Sequence, residues 1–370
     1  MGYLTKVLEP QGSDASEWDE LVAKTSEPDP HFLSAYSLVF KERMQGEPKL
    51  FVLEMSTPLG VDLVVHPFFV REIDNLPFMR STGAEAKGLR GLRDIVSPWY
   101  FGGPACLFHD KSRASGGLSL FLREFHAYCR EQGIVSEFCR LHPWSSCPEE
   151  LKELCPDEIE ANRDIVWMDL EKNSVDDIWR EYDKKNRNAV RKAQEMGISV
   201  HKSASKKELE VFHRLYSESM NRHDASEFYR FPPSFIENLF ERLSCNFVLF
   251  VASKSDEVLA ASIFFHGYSY VHYYLSARDP RYASSGANSL LLHEVALWAK
   301  ERGFSKFVLG GGTKAEDTLF RFKAAFSRRR TKFFLMRRIH QPLFYAALSE
   351  LSKALGPADE SYFPRYRLPG

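Results

Sequence analysis

Apolar residues along this chain recur with two periods, that of a helix and that of a strand, and the switches between them lay out the elements. Phe32, Tyr36, Val39 and Phe40 share a helical face, which predicts a helix over 32–43 after a shorter one around 18–24. KLFVLEM and VDLVVHPFFV read as strands joined through a turn at Pro58–Gly60. DIVSPWYFGGPACL reads as a strand interrupted by Pro98, Gly102, Gly103 and Pro104. A helix over about 118–132 then leads through Gly133 into the strand IVSEFCRLHP. Residues 143–156 are rich in Ser, Cys, Pro and Glu and lack a period, so the boundary is placed there or slightly later, giving domains 1–160 and 161–370.

The second half repeats the plan. It reads as strand DIVWMDL, a helix over 178–196, strand ISVHK, helices over 206–221 and 233–243, and a meander through NFVLFVAS, VLAASIFFHG and YSYVHYYLSA. A helix over 289–302, strand KFVLG, a helix carrying Lys323, strand TKFFLMRRI and a closing helix over 342–355 complete it. Helices alternating with strands predict a mixed α/β fold, and the recurring order of elements points to a tandem duplication.

At 370 residues the chain exceeds what one core usually supports, in keeping with two domains. Apolar residues at 44% and charged ones at 27% exclude a disordered chain, and a net charge of −1 argues against a long nucleic-acid grip while leaving room for a local basic patch. MGYLTKVLEP has no apolar signal core and no later run suits a membrane span, so a cytoplasmic protein is expected. Six cysteines without a CxxC pair suit reduced thiols better than a zinc site or disulfide framework.

The densest candidate chemistry is LGGGTKAEDTLFRFKAAF, residues 309–326. Gly310, Gly311 and Gly312 bare the backbone after a strand, allowing close approach of a ligand. Leu319, Phe322 and Phe326 form an apolar stripe, and Lys323 lies on it. One reading has the ammonium snorkelling to solvent; the other aims it into a cleft holding an anion or a developing negative charge. Arg328, Arg329, Arg330, Lys332, Arg337 and Arg338 follow closely, as a phosphate-binding cluster or a solvated helix end. Lys184, Arg187 and Arg191 share the basic face of KKNRNAVRKAQEMGISV. In SPWYFGGP, Tyr100 offers a phenol beside Gly102 and Gly103. His223, Asp224, Tyr229 and Arg230 fall on a loop between helices that a lid could use, and His266 and His272 read as satisfied strand histidines. No spacing supports a metal, and none is expected.

Taken together, SPWYFGGP, KKNRNAVRKAQEMGISV, the SESMNRHDASEFYRFPPSFIENLFERL stretch and the glycine-rich segment resemble the Fem family of aminoacyl transferases over about 32–339. The resemblance implies two tandem domains of the GNAT acyltransferase fold, with mixed sheets flanked by helices. It also implies transfer of an amino acid from aminoacyl-tRNA to an amine of a peptidoglycan precursor, with no bound cofactor. On that reading Phe322 and Lys323 match the family's Phe-Lys pair beside the tRNA 3′ end, with Gly310–Gly312 and Arg328–Arg330 on the donor side. Lys41, Tyr100 and Arg187 or Arg191 then serve an amine acceptor, nucleotide-sugar-linked in the family. A carboxylate that some members carry after the tyrosine is replaced by Ala105, Cys106, Leu107 and Phe108, which leaves the general base unassigned. No heptads match the coiled-coil arm of some members.

Two other readings stand beside this one. An acyl-CoA-dependent N-acyltransferase would bind pyrophosphate where Arg281-Tyr-Ala-Ser-Ser-Gly286-Ala287 opens a helix, although Ser284 replaces the first glycine of the usual loop. A non-catalytic binding protein on the same fold is the third.

Overall fold

The computed structural model describes residues 2–80, 88–314, 317–353 and 362–367. The chain forms two compact units, Met1–Asn162 with Phe333–Gly370, and Arg163–Lys332. The composition shift near residue 160 lies close to the first crossing, whereas the return at 332/333 has no compositional signal, so a single division into 1–160 and 161–370 leaves it out.

The first unit opens with β1 (Tyr3–Leu8), α1 (Ser13–Lys24) and α2 (Ser34–Met44). The hairpin of β2 (Glu47–Thr57) and β3 (Gly60–Glu72) follows, then β4 (Arg93–Val96) and β5 (Ala105–Leu107). Next come α3 (Ala114–Glu131), β6 (Ile134–Leu141), α4 (Pro148–Leu154) and the start of β7 (Ile159–Asp169). The second unit contains the rest of β7, α5 (Val175–Glu181), α6 (Lys184–Glu195), β8 (Ser199–Ser203), α7 (Lys206–Arg222) and α8 (Pro233–Arg242). It continues through β9 (Phe247–Lys254), β10 (Glu257–Gly267), β11 (Tyr270–Arg278), α9 (Ala287–Glu301), β12 (Lys306–Gly310) and α10 (Thr318–Ala324). The chain closes with β13 (Arg330–Ile339) and α11 (Pro342–Ser352); the last two residues of the expected closing helix lie outside the described residues.

Both units use one strand plan. In the first, β1, β2, β3 and β4 are antiparallel neighbours, β4 lies parallel to β6, and β6 is antiparallel to β13. In the second, β8, β9, β10 and β11 are antiparallel, β11 lies parallel to β12, and β12 is antiparallel to β7. The one parallel step in each plan is crossed by a long helix, α3 or α9, as parallel pairing requires. This is the mixed α/β duplication that the order of elements predicts.

Burial explains why the end of the chain belongs to the first unit. Phe334 and Met336 of β13 enter a core with Phe51, Phe68 and Phe125. Tyr345 and Leu348 of α11 bury against Val135, Ile73 and Tyr366. Arg367 then seals the segment through Nε on Asp94 Oδ2 at 2.6 Å.

One predicted helix is two. The periodicity over 178–196 is interrupted at Tyr182, whose backbone is extended, and Asp183 caps α6 by accepting the Asn186 N–H at 2.6 Å. The break lets Tyr182, 1% exposed, turn inward instead of continuing around the helix. A capping aspartate and a buried aromatic together outweigh helical continuity.

Candidate active site

The second unit brings the glycine run and Lys323 together. β12 ends at Gly310, whose φ of 80° turns the chain sharply, and α10 starts after Asp317. Asp317 organises the crossing. Its Oδ2 accepts the N–H groups of Thr313 at 2.7 Å and Lys314 at 3.0 Å and the Thr313 hydroxyl at 2.6 Å, while Oδ1 accepts the Phe320 N–H at 2.7 Å. Desolvation pushes its carboxyl up, yet the Thr313 hydroxyl and the three N–H groups outweigh that and hold it well below the ordinary range. A Cβ on Gly312 would collide with this carboxylate, so the third glycine is required by the cap. From the other side Arg163 Nη1 donates to the carbonyls of Gly312 at 2.7 Å and Thr313 at 2.8 Å.

Lys323 points inward. It is 8% exposed, and Nζ donates to Gly311 O at 2.7 Å. Nζ also lies 5.8 Å from the centre of the Tyr273 ring. Burial lowers its pKa to about 8, with Asp317 pulling weakly the other way. Snorkelling is therefore excluded. The apolar stripe is also corrected, since Leu319 is 40% exposed and Phe322 half-buried, while Phe326 is fully buried. Only one short turn of α10 faces the core, and Lys323 occupies the place there that periodicity would give to a hydrophobe.

Tyr273 owes its position to a β-bulge. Ile263 pairs with Leu275 and Phe264 with Tyr273, so Tyr274 is the extra residue of β11. Bulges re-aim side chains, and here Tyr273 joins the core near Lys323 while Tyr274 packs on Phe247 and Phe265. Asn288 at the start of α9 donates to the Tyr273 hydroxyl at 3.4 Å, and burial raises that phenol's pKa. Asp317, Arg163, Tyr273 and Asn288 were not singled out in the sequence. An aspartate heading DTLF is a legible helix cap, but nothing local marks the other three, which lie 35 or more residues away from Lys323.

The basic residues divide. Arg187 Nη1 donates to the Tyr182 carbonyl, Tyr182 meets Phe326 edge-on at 5.2 Å, and the Asp183 N–H donates to Ala325 O at 2.9 Å, so the start of α6 abuts the end of α10. Arg191 instead lies over Trp179 at 5.3 Å. The arginine cluster is largely neutralised. Arg329 pairs with Asp169 at 3.2 Å, Lys332 with Asp164 at 2.8 Å, Arg337 with Glu160 at 2.7 Å and Arg338 with Glu158 at 3.4 Å. Arg330 donates to the carbonyls of Ser327 and Arg329 and lies 5.5 Å over Phe320, and Arg328 is exposed. Carboxylates on and just before β7 thus pair with cations on and just before β13, a pairing invisible in a reading of the cluster alone.

In the first unit Lys41 sits at the end of α2, paired with Glu47 at 2.7 Å. It borders a cavity of about 530 Å³ with Lys49, Glu72, Arg93 and Tyr128. Tyr100 lies beyond the opposite end of α2, where Tyr36 donates to Trp99 O at 2.8 Å. Of the strand histidines, His266 is pushed down to about 4 by burial, aided by Lys202 and Arg302, and His272 is fully buried. In the loop after α7, Arg230 bonds Ala225 O at 3.1 Å and pairs with Glu227 at 3.1 Å.

The loop that would hold a CoA pyrophosphate is occupied by its own chain. Gly286 heads α9 with φ 82°, and a Cβ there would collide with the carbonyl of Ala189 in α6. Lys192 Nζ donates to Ser284 O at 2.8 Å, and Ser285 Oγ takes the Ala287 N–H at 3.2 Å. Gly286→Ala is expected to lower the melting temperature by at least 5 °C, because strain at positive φ adds to a backbone clash; an unchanged melting curve would refute this packing.

Comparison with known proteins gives the same architecture. Residues 180–324 match the acetyltransferase (GNAT) domain family. The crystal structure of FemX aligns with a TM-score of 0.67 at 13% identity, over 94% of this chain and 99% of that one. The fold is a Fem-like tandem GNAT fold. A conserved protein of unknown function from Bacteroides thetaiotaomicron aligns with a TM-score of 0.54 at 12% identity, over 87% of this chain and 97% of that one. The C-terminal domain of a candidate lysylphosphatidylglycerol synthetase from Agrobacterium fabrum gives 0.51 at 12% identity, over 92% and 95%. A search of curated proteins found no match. The second unit of this tandem GNAT fold thus carries an acyltransferase domain, and among the described residues no helix is long and apolar enough to cross a membrane.

Proposed function

We propose that this protein is an aminoacyltransferase that passes an aminoacyl group from aminoacyl-tRNA to an amine, with a peptidoglycan precursor as the acceptor class and cell-wall biogenesis as its setting. The observation that carries the proposal is the buried Lys323 ammonium seated on Gly311 O at 2.7 Å. An ammonium has three N–H groups, and among the described residues Gly311 O is its one hydrogen-bond acceptor, which leaves donors for an incoming oxyanion. The acceptor amine attacks the ester carbonyl and forms the new C–N bond. Lys323 stabilises the oxyanion, the ester C–O bond breaks, and the amine's proton leaves with the ribose hydroxyl. Phe322, half-buried beside Phe326 at 5.5 Å, offers a ring face to the terminal adenosine, and the bare Gly310–Gly312 backbone admits the ester. Similarity of fold to FemX over nearly the full length of both chains supports this reading.

Transfer from acyl-CoA is the second reading, favoured by the GNAT domain match itself. The closed packing around Gly286 weighs against it. Binding measured in parallel against aminoacyl-tRNA and acetyl-CoA decides between them. We expect binding of aminoacyl-tRNA, weakened in Lys323→Ala, and none of acetyl-CoA. Acetyl-CoA binding without tRNA affinity would reverse the assignment, and binding of neither, with Lys323→Ala inert, would favour a non-catalytic protein on this fold. The protein needs no cofactor in the proposed reaction and is placed, as a proposal, in the cytoplasm with the tRNA.

A further inference from the structure

Two thiols of the first unit meet although they lie far apart in the chain. The segment leading into β5 runs against the turn before α4. Gly102 O accepts the His142 N–H at 2.8 Å and the Ser146 hydroxyl at 2.9 Å, and a Cβ on Gly103 would stand 2.7 Å from Ser146 Oγ. This contact carries Cys106 of β5 and Cys147, the residue before α4, to one core with Val64, Leu118 and Leu151. A hydrogen bond joins the two side chains there, and both are free thiols.

The two sulfurs are not equivalent. Cys106 is 4% exposed and fixed in the sheet, paired with Val64 of β3, its carbonyl accepting the Ser26 N–H at 2.8 Å. Cys147 is half-buried, and its φ of 43° lies in the left-handed region, which a residue with a Cβ adopts only where its surroundings hold it. It ends a turn, so its side chain can swing toward Cys106 without breaking a strand. The hydrogen bond, helped by burial, pushes the Cys106 thiol up and makes it the donor; the same bond lowers Cys147, the acceptor, against burial and the Glu150 carboxylate. The other cysteines differ. Cys129 and Cys139 are fully buried, burial pushes Cys155 up to about 11, and Cys245 is exposed in the second unit.

We propose that Cys147 and Cys106 form a modification site for hydrogen peroxide, with Cys147 as the attacking thiolate and Cys106 as the resolving thiol. The Cys147 sulfur attacks one peroxide oxygen, the O–O bond breaks, and the departing hydroxide takes up a proton to become water. That leaves a sulfenic acid on Cys147. Cys106 then gives up its proton and attacks the Cys147 sulfur, so that the S–S bond forms, the S–O bond breaks and a second water leaves. Two thiols lose two electrons and one peroxide becomes two waters. The chemistry lies within the first unit and does not depend on the proposed transfer reaction.

The test treats the reduced full chain with hydrogen peroxide, blocks remaining thiols with N-ethylmaleimide and maps tryptic peptides without reduction. The expected product links peptide 94–111 to peptide 141–152 and disappears with dithiothreitol. Before oxidation at pH 7, iodoacetamide should alkylate Cys147 about tenfold faster than Cys155, which is also half-buried, and Cys106→Ala should remove most of that advantage. In Cys106→Ala the sulfenic acid has no resolving partner, so dimedone should trap it on Cys147. A dimedone adduct on Cys106 in Cys147→Ala would overturn the assigned roles. Cys147 left reduced by peroxide that already oxidises Cys245, a link from either cysteine to another, or equal alkylation of Cys147 and Cys155 would each overturn the proposal. Where an alanine variant does not fold, the wild-type peptide map and alkylation rates decide alone.

Discussion

Lys323→Met should abolish transfer, by at least a hundredfold in kcat, while leaving the protein as stable as the wild type at pH 7 or more so. The two halves of this result come from one fact. A buried ammonium with a pKa near 8 in place of 10.5 disfavours the folded state below pH 8 by on the order of 3 kcal/mol, because there it must be carried protonated into a poorly solvated place. The sign follows from proton counting. Between pH 8 and 10.5 the unfolded chain binds the proton and the folded one does not, so wild-type stability rises across that window. The methionine variant should lack the rise, and urea melts at pH 7 and pH 10 measure it. Removing an oxyanion donor typically costs several kcal/mol of barrier, which sets the expected loss of rate. If the ammonium is the acting form, transfer should also fall as pH rises through about 8, once corrected for titration of the amine acceptor. A Lys323→Met enzyme with normal kcat would remove Lys323 from the chemistry, and one that unfolds at neutral pH would contradict the cost assigned to burying its ammonium.

Asp317→Ala should be the most damaging single change to the donor side that leaves Lys323 in place. Four donors lose their acceptor at once, three of them backbone N–H groups that water must then satisfy. Loss of the helix cap alone costs about 0.5–2 kcal/mol, and α10, only seven residues long, has little else to start it. We expect a lower melting temperature and at least a tenfold loss of transfer, because Gly311 O and Lys323 lie at the two ends of the segment that Asp317 ties. Asp317→Asn, which keeps an acceptor oxygen, should recover part of both. The wild type should also lose this stability in acid, as pH falls below the ordinary aspartate range toward the depressed folded value, and the alanine variant should show less of that loss. Equal stability of wild type and Asp317→Ala from pH 7 to pH 3 would contradict the cap.

The sequence by itself determined the elements, the duplicated plan and the glycine-to-lysine segment, because each is written in local terms: a period of apolar residues, a run without side chains, a cation among aromatics. It could not say whether Lys323 faced water or protein, since a stripe of Leu319, Phe322 and Phe326 allows both. Tertiary structure decided that question by supplying Gly311 O and Tyr273 to face the amine and by turning Leu319 outward. It also decided that Arg329, Lys332 and Arg337 meet carboxylates of β7, and that residues 333–370 close the first unit and not the second. These outcomes depend on which distant strand lies alongside, and strand partnership is settled by burial summed over a whole unit, a quantity that no short window of residues contains.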